Sequence, residues 1–181
     1  MKNNIHYFTL LIALSLVGAT FSVSADSWFG SKRSGVAPVT NELYAKECSE
    51  CHFAYQPGLL PARSWQKLMS NLADHFGDNA ELSPADTKIL SKYLNENAAE
   101  RSNHKRSVKI NRSIRKNETP IRITDVGYIK RKHRELSRRH VTDNPEVGNL
   151  NKCEACHTRI TEGSFSEREI KIPGFGRWED D

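Results

Sequence analysis

The chain has 181 residues, of which 37% are hydrophobic, and a formal net charge of +5; its mean hydropathy is −0.65. Outside an N-terminal apolar run no stretch is long and apolar enough to span a membrane, which excludes a polytopic membrane protein. Four cysteines leave three chemistries to be separated: disulfides, a metal site, or covalent attachment of a cofactor.

Residues 1–25 read as a secretory signal. Met1-Lys2-Asn3-Asn4 leads into the apolar run YFTLLIALSLVGATFSV, and Val23-Ser24-Ala25 supplies a small-residue cleavage site before Asp26. The run falls short of the roughly 20 residues a spanning helix needs. The mature product is therefore expected to be residues 26–181, soluble and exported.

A short helix is expected in TNELYAKECSECH, delivering Cys48, Cys51 and His52, with a turn at Pro57-Gly58. The motif ECSECH recurs near the C-terminus as KCEACH, carrying Cys153, Cys156 and His157. Two disulfides would account for four cysteines in an exported chain but not for the two histidines. A zinc site would use both Cys-x-x-Cys pairs, but these lie roughly a hundred residues apart against a usual separation of about 15 to 20. Cys-x-x-Cys-His is the attachment motif of c-type haem, whose vinyl groups take the two thiols while the adjacent histidine reaches the iron. Two complete copies predict two haem c groups, each with its iron.

The second axial position decides the mechanism, because methionine raises the reduction potential relative to a second histidine and an open position admits a ligand. Met69 is the single methionine of the mature chain, so at most one iron can be His/Met. The free histidines are His75, His104, His133 and His140. In SWQKLMSNLADHFG, with Ser64 as N-cap and Gly77 as stop, Trp65, Leu68, Met69, Leu72, His75 and Phe76 fall on one apolar stripe of a helix. His75 is thereby directed into the core beside the first haem, and Met69 is read as packing.

Further along, SPADTKILSKYLNENAA predicts a scaffold helix with Ser83 as N-cap, Pro84 at its first position and Asp86 completing the cap. Its apolar face is Ile89, Leu90, Tyr93 and Leu94. Residues 101–140 hold 14 Lys or Arg against 3 Asp or Glu. This stretch could steer an acidic redox partner, neutralise haem propionates, touch an anionic membrane surface transiently, or serve as a solvated connector. Nucleic acid is not a partner to expect of an exported haem protein. His104 lies in this polar stretch and reads as solvated. A helix from Asp125 to His140 would put Ile129, His133, Leu136 and His140 on one face; His133, amid the helix, is the better-oriented ligand, with His140 as the competitor.

The runs ECSECHFAYQPGLLPARSWQKLMSNLADHFG, RIT ending at Thr124, KHREL around His133 and NKCEACHTRITEGSFSEREIKIPG resemble the bacterial diheme cytochrome c family of small periplasmic electron carriers. The resemblance implies a mostly α fold of two small helical c-type cytochrome domains, here 26–100 and 121–181 joined by a basic linker at 101–120, each built around one covalent haem. It implies a non-enzymatic, monomeric electron-transfer protein of the periplasm with two low-spin bis-His irons, His52 with His75 and His157 with His133. It leaves open an exchange of the distal histidines between domains. The partners it suggests are redox proteins, among them an oxygen-binding monohaem cytochrome c and a membrane b-type cytochrome; the basic linker departs from the family pattern. The rival reading is a peroxidase-like or gas-binding haem protein with one open iron, whose pocket Phe53 and Tyr55 could line.

Each half has too few residues to build a large core of its own, so the haem is expected to supply much of it. Far-UV circular dichroism of the haem-free protein should show largely lost helix; native-like helix content would contradict this.

Overall fold

The structure, a computed structural model, describes residues 34–179. The expected signal segment lies outside the described residues. Within them the fold is mostly α: five α-helices and several 3₁₀ turns, with one two-residue hairpin near the C-terminus. No helix among the described residues is long and apolar enough to cross a membrane.

Helix α1 (Glu42–Cys48) starts where the Asn41 side chain accepts a hydrogen bond from the Tyr44 N–H at 2.8 Å, and ends on the first cysteine of the first motif. The chain then turns through Cys51 and His52 into a buried 3₁₀ turn, Pro57–Leu59. The Tyr44 hydroxyl donates to the Tyr55 carbonyl at 2.6 Å and the Trp65 indole N–H to the Pro57 carbonyl at 2.8 Å, tying this turn to the helices on either side.

Helix α2 (Ala62–Met69), with Pro61 as its N-cap, begins three residues earlier than the Ser64 cap predicts and stops well before Gly77. Its first free N–H, on Ala62, is taken by the Glu100 carboxylate at 3.0 and 3.1 Å, a long-range cap with no local signature. Its end is local: Ser70 donates to the Lys67 carbonyl, Asn71 to that of Asp74, and Asp74 accepts from the Gly77 N–H. These short polar side chains compete with the helix ladder. Leu72–Asp74 is only a 3₁₀ turn, and Phe76, expected on the buried stripe, is exposed.

Helix α3 (Pro84–Glu96) has the predicted start, with Ser83 Oγ accepting from the Asp86 N–H at 3.1 Å. Leu90 and Leu94 are fully buried, whereas Ile89, expected on the same face, is exposed. Helix α4 (Lys105–Arg112) lies inside the stretch expected as a basic linker and is packed rather than solvated: Ser107 and Ile110 are buried, with Lys105, Lys109 and Arg112 on the outer side. His104, at its N-cap, is half-buried, with Nδ1 3.0 Å from the Ser34 carbonyl oxygen, and so is not simply solvated.

The helix expected from Asp125 to His140 is shorter. Helix α5 (Gly127–Lys132) ends at His133, and a separate 3₁₀ turn, Arg138–His140, follows. Ser137 opens that second turn as its N-cap, with an extended backbone and a reciprocal cap exchanged with His140. Strands β1 (Lys171–Ile172) and β2 (Gly176–Arg177) pair antiparallel, Lys171 opposite Arg177 and Ile172 opposite Gly176.

One apolar cluster runs from Val36 and Tyr44 through Leu60, Leu90 and Ile110 to Tyr128, with Phe165 packed against it. The N-terminal segment is sewn to the C-terminal one where the Val36 N–H donates to the Gly163 carbonyl at 2.9 Å. Gly163 has φ +74, and a Cβ there would stand 2.0 Å from the Val36 carbonyl oxygen. Gly163→Ala should therefore destabilise the holoprotein by about 2 kcal/mol or more. Gly174→Ala, with φ +75 and nothing within 4 Å, should lose only about 1 kcal/mol. Thermal melts of the two variants check the contrast.

Candidate haem sites

The first site is assembled by the end of α1 and the turn after α2. Cys48 closes the helix, Cys51 is exposed beyond it, and both thiols are free. The His52 Nδ1 lies 2.8 Å from the Phe53 carbonyl oxygen, which makes it the protonated nitrogen and leaves the Nε2 lone pair available to a metal. His75 is delivered by a tight turn in which it exchanges backbone hydrogen bonds with Asp78 at 2.8 and 3.3 Å across Phe76 and Gly77. Both of those residues have positive φ, 60° and 102°. The Phe76 ring edge braces His75 at 4.9 Å, and the Arg122 guanidinium sits 4.1 Å over Phe76. The His52 and His75 ring centres are 6.1 Å apart with planes at 26°.

The second site is built by α5 and the 3₁₀ turn Cys153–Ala155, again with both thiols free. His157 donates its N–H to the Cys153 carbonyl at 2.9 Å and is held by an isolated bridge to Ile170. His133, at the C-cap of α5, has Nδ1 2.8 Å from the Ile129 carbonyl oxygen, so its orientation comes from that bond rather than from a place amid a helix. The His133 and His157 ring centres are also 6.1 Å apart, with planes at 75°. A cavity of about 340 Å³ lies beside them, lined by Cys153, Cys156 and both histidines with Leu59 and Phe165.

Two imidazoles bonded to opposite sides of one metal, with nitrogen–metal bonds of about 2 Å, hold their ring centres roughly 6 Å apart. Both pairs have that separation. Burial, with His52 adding, lowers the His75 pKa; burial first, then His133 and Arg106, takes His157 down to about 4. Each is thus the neutral imidazole a metal requires. The Nδ1 atoms of His75 and His157 are buried without a protein partner, which is uncommon for buried polar atoms. Burial also pushes the free thiols up, Cys48 to about 11 and Cys153 to about 12, so neither is a reactive thiolate.

His140 lines the second cavity and is buried, yet its nitrogens are occupied: Nδ1 accepts from the Ser137 N–H at 3.2 Å and Nε2 lies 3.3 Å from Arg139 Nε. Its ring is clamped edge-on by Phe175 and Trp178. Met69 packs against the apolar cluster. No group of three or more His, Cys, Asp or Glu among the described residues is placed to hold a metal ion. Tyr55, read from sequence as a possible pocket wall, lies parallel to His52 with ring centres 4.9 Å apart, and burial, with Cys153 and Glu154 adding, raises its pKa. Phe165 is edge-on to His157 at 5.1 Å; Arg106, bonded to the Phe165 carbonyl and the Tyr128 hydroxyl, carried no sequence signal because its partners are far along the chain.

Two thiol pairs, each followed by a histidine that faces a second histidine, define a mostly α-helical protein with two c-type haem sites. The family model for dihaem cytochrome c matches residues 44–165, and the chain belongs to that family. A diheme cytochrome type c from Shewanella baltica OS155 is 40% identical, with 77% of this chain and 98% of that chain covered and a TM-score of 0.65. The diheme cytochrome c from Rhodobacter sphaeroides is likewise 40% identical, covering 72% of this chain and 100% of that one, with a TM-score of 0.64. No curated protein matches the chain. Family membership makes the protein a haem-based cytochrome with two c-type haems and their irons, and the thiols and paired imidazoles fit them.

His133→Ala should turn the second haem high-spin and let the reduced protein bind carbon monoxide. His140→Ala should leave both irons low-spin. Optical spectra of the two variants separate the candidates, and the reverse result would exchange their roles.

Proposed function

We propose that the protein is an exported, periplasmic electron carrier whose two irons are both closed by histidine, His52 with His75 and His157 with His133. The observation that carries this reading is the 6.1 Å separation of both imidazole pairs, each beside its own Cys-x-x-Cys-His motif. Bound haem supplies a one-electron Fe(III)/Fe(II) couple. The chain's own residues do the rest. The Phe53 and Ile129 carbonyls fix the tautomers of His52 and His133, and burial keeps His75 and His157 neutral. With a histidine pair holding each iron, no coordination site would be offered to a substrate, and the role would be outer-sphere transfer.

Lys105, Lys109 and Arg112 form the exposed side of α4, Arg131 and Lys132 are exposed in the last turn of α5, and Arg134, Arg138 and Arg139 are exposed beyond it. This basic surface suits brief docking of an acidic redox protein, by steering rather than by a large interface. An oxygen-binding monohaem cytochrome c and a membrane b-type cytochrome are the partners proposed, with the carrier acting as a monomer.

The purified exported protein should contain two covalent haems by pyridine haemochrome, be low-spin in both oxidation states and ignore carbon monoxide. The oxidised protein should also give two distinct electron paramagnetic resonance signals. Imidazole planes near parallel, as at 26°, split the iron dxz and dyz orbitals and give a rhombic spectrum; planes near perpendicular, as at 75°, leave them close in energy and give a strongly anisotropic one. A high-spin signal or a carbon monoxide shift would instead mean an open iron.

A further inference from the structure

Tyr55 and Gln56 follow the first motif directly, yet both side chains reach across to the second. The Tyr55 hydroxyl donates to the Asn151 carbonyl at 2.7 Å, two residues before Cys153. The Gln56 side-chain amide donates to the Ile160 carbonyl, three residues after His157. The two bonds therefore hold the segment that carries the second motif from either side. Gln56 is fully buried, and the Tyr55 backbone is itself anchored by the Tyr44 hydroxyl.

On its other side Tyr55 touches the first site. Its ring lies over the His52 imidazole, 4.9 Å between centres and 27° between planes, and Phe53 packs edge-on against it at 5.9 Å. One side chain thus contacts an axial histidine of one site and the attachment segment of the other. A path of three kinds of step links them: ring stacking from the His52 imidazole to the Tyr55 phenol, a hydrogen bond from the phenol to the Asn151 carbonyl, and covalent bonds through Lys152 to the Cys153 sulfur. Electronic coupling decays less steeply along bonds and hydrogen bonds than across gaps, so a path whose one through-space step is a ring-stacking contact affects the transfer rate as well as the distance.

We propose that Tyr55 is a positioning residue for electron exchange between the two haem sites, coupling them through its ring on His52 and its hydroxyl on Asn151. The proposal rests on the bis-His electron-carrier reading and deepens it. One electron leaves the iron of one site and arrives at the iron of the other, oxidising the first and reducing the second by one. Tyr55 is neither oxidised nor deprotonated, so no further oxidant or base enters.

The test uses the full haem-loaded protein. Flash reduction with a photoexcited flavin delivers less than one electron per molecule, and the redistribution between haems is followed by absorption, with the two haems told apart by their resonance signals in samples frozen during the decay. Tyr55→Phe keeps the ring and removes only the bond to Asn151; it should slow redistribution several-fold while haem content, low-spin spectra and midpoint potentials stay as in the parent. Tyr55→Leu, which also removes the ring, should slow it further. Tyr44→Phe loosens the same turn without touching the second motif and should leave the rate unchanged. An unaltered rate in both Tyr55 variants, or equal slowing in Tyr44→Phe, would overturn the proposal. High-spin iron or carbon monoxide binding in the parent would instead overturn the carrier reading itself, so the two failures are distinguishable.

Discussion

The constraint on which the rest of the structure depends is the facing of two imidazoles at about 6 Å, imposed twice. Neither pair is close in sequence, and the two solutions differ. At the first site the opposing histidine follows the motif and is presented by a four-residue turn with two left-handed residues, Phe76 and Gly77. At the second it precedes the motif and is presented by the C-cap of α5. The sites are therefore not copies of one folding unit, although their chemistry is the same. In both, one imidazole is oriented by a backbone carbonyl and the other is kept neutral by burial, so each pair is arranged by polypeptide geometry.

The basic stretch is less free than its charge suggests. Arg106 is tied to the Phe165 carbonyl and the Tyr128 hydroxyl, and Arg122 lies over Phe76. These cations brace the surroundings of the two sites. Lys130 with Asp125, Lys132 with Glu167 and Arg138 with Asp143 are exposed ion pairs, each of which contributes little to stability in water. What remains for a partner is chiefly the outer side of α4 and the exposed arginines beyond α5, a narrower feature than a run of 14 Lys or Arg implies.

Sequence periodicity overstated the helices at the two places that carry the opposing histidines. The stripe through Trp65, Met69 and His75 and the face through Ile129, His133 and His140 each obey helical spacing, yet both helices end early. Ser70, Asn71 and Asp74 in one case satisfy backbone groups with side chains and interrupt the ladder; in the other the His133 ring itself takes the Ile129 carbonyl at the end of α5, and Ser137 with His140 opens a separate turn. His75 and His133 reach their sites because they sit at these interruptions, where a turn can aim a ring that a continuing helix would have carried past.

The sequence by itself determined the cofactor chemistry, since thiol attachment and the adjacent histidine are fixed by covalent spacing within a few residues. It determined the start of α3 for the same reason: the Ser83 cap and Pro84 act locally. Only the tertiary structure decided that His133 rather than His140 faces His157, because His140 is engaged by Ser137 and Arg139 and clamped by rings from residues 175 and 178. It alone brought Glu100 to the start of α2 and Tyr55 from His52 to Asn151. Those contacts depend on where distant segments pack, and no short-range pattern of residue types encodes them.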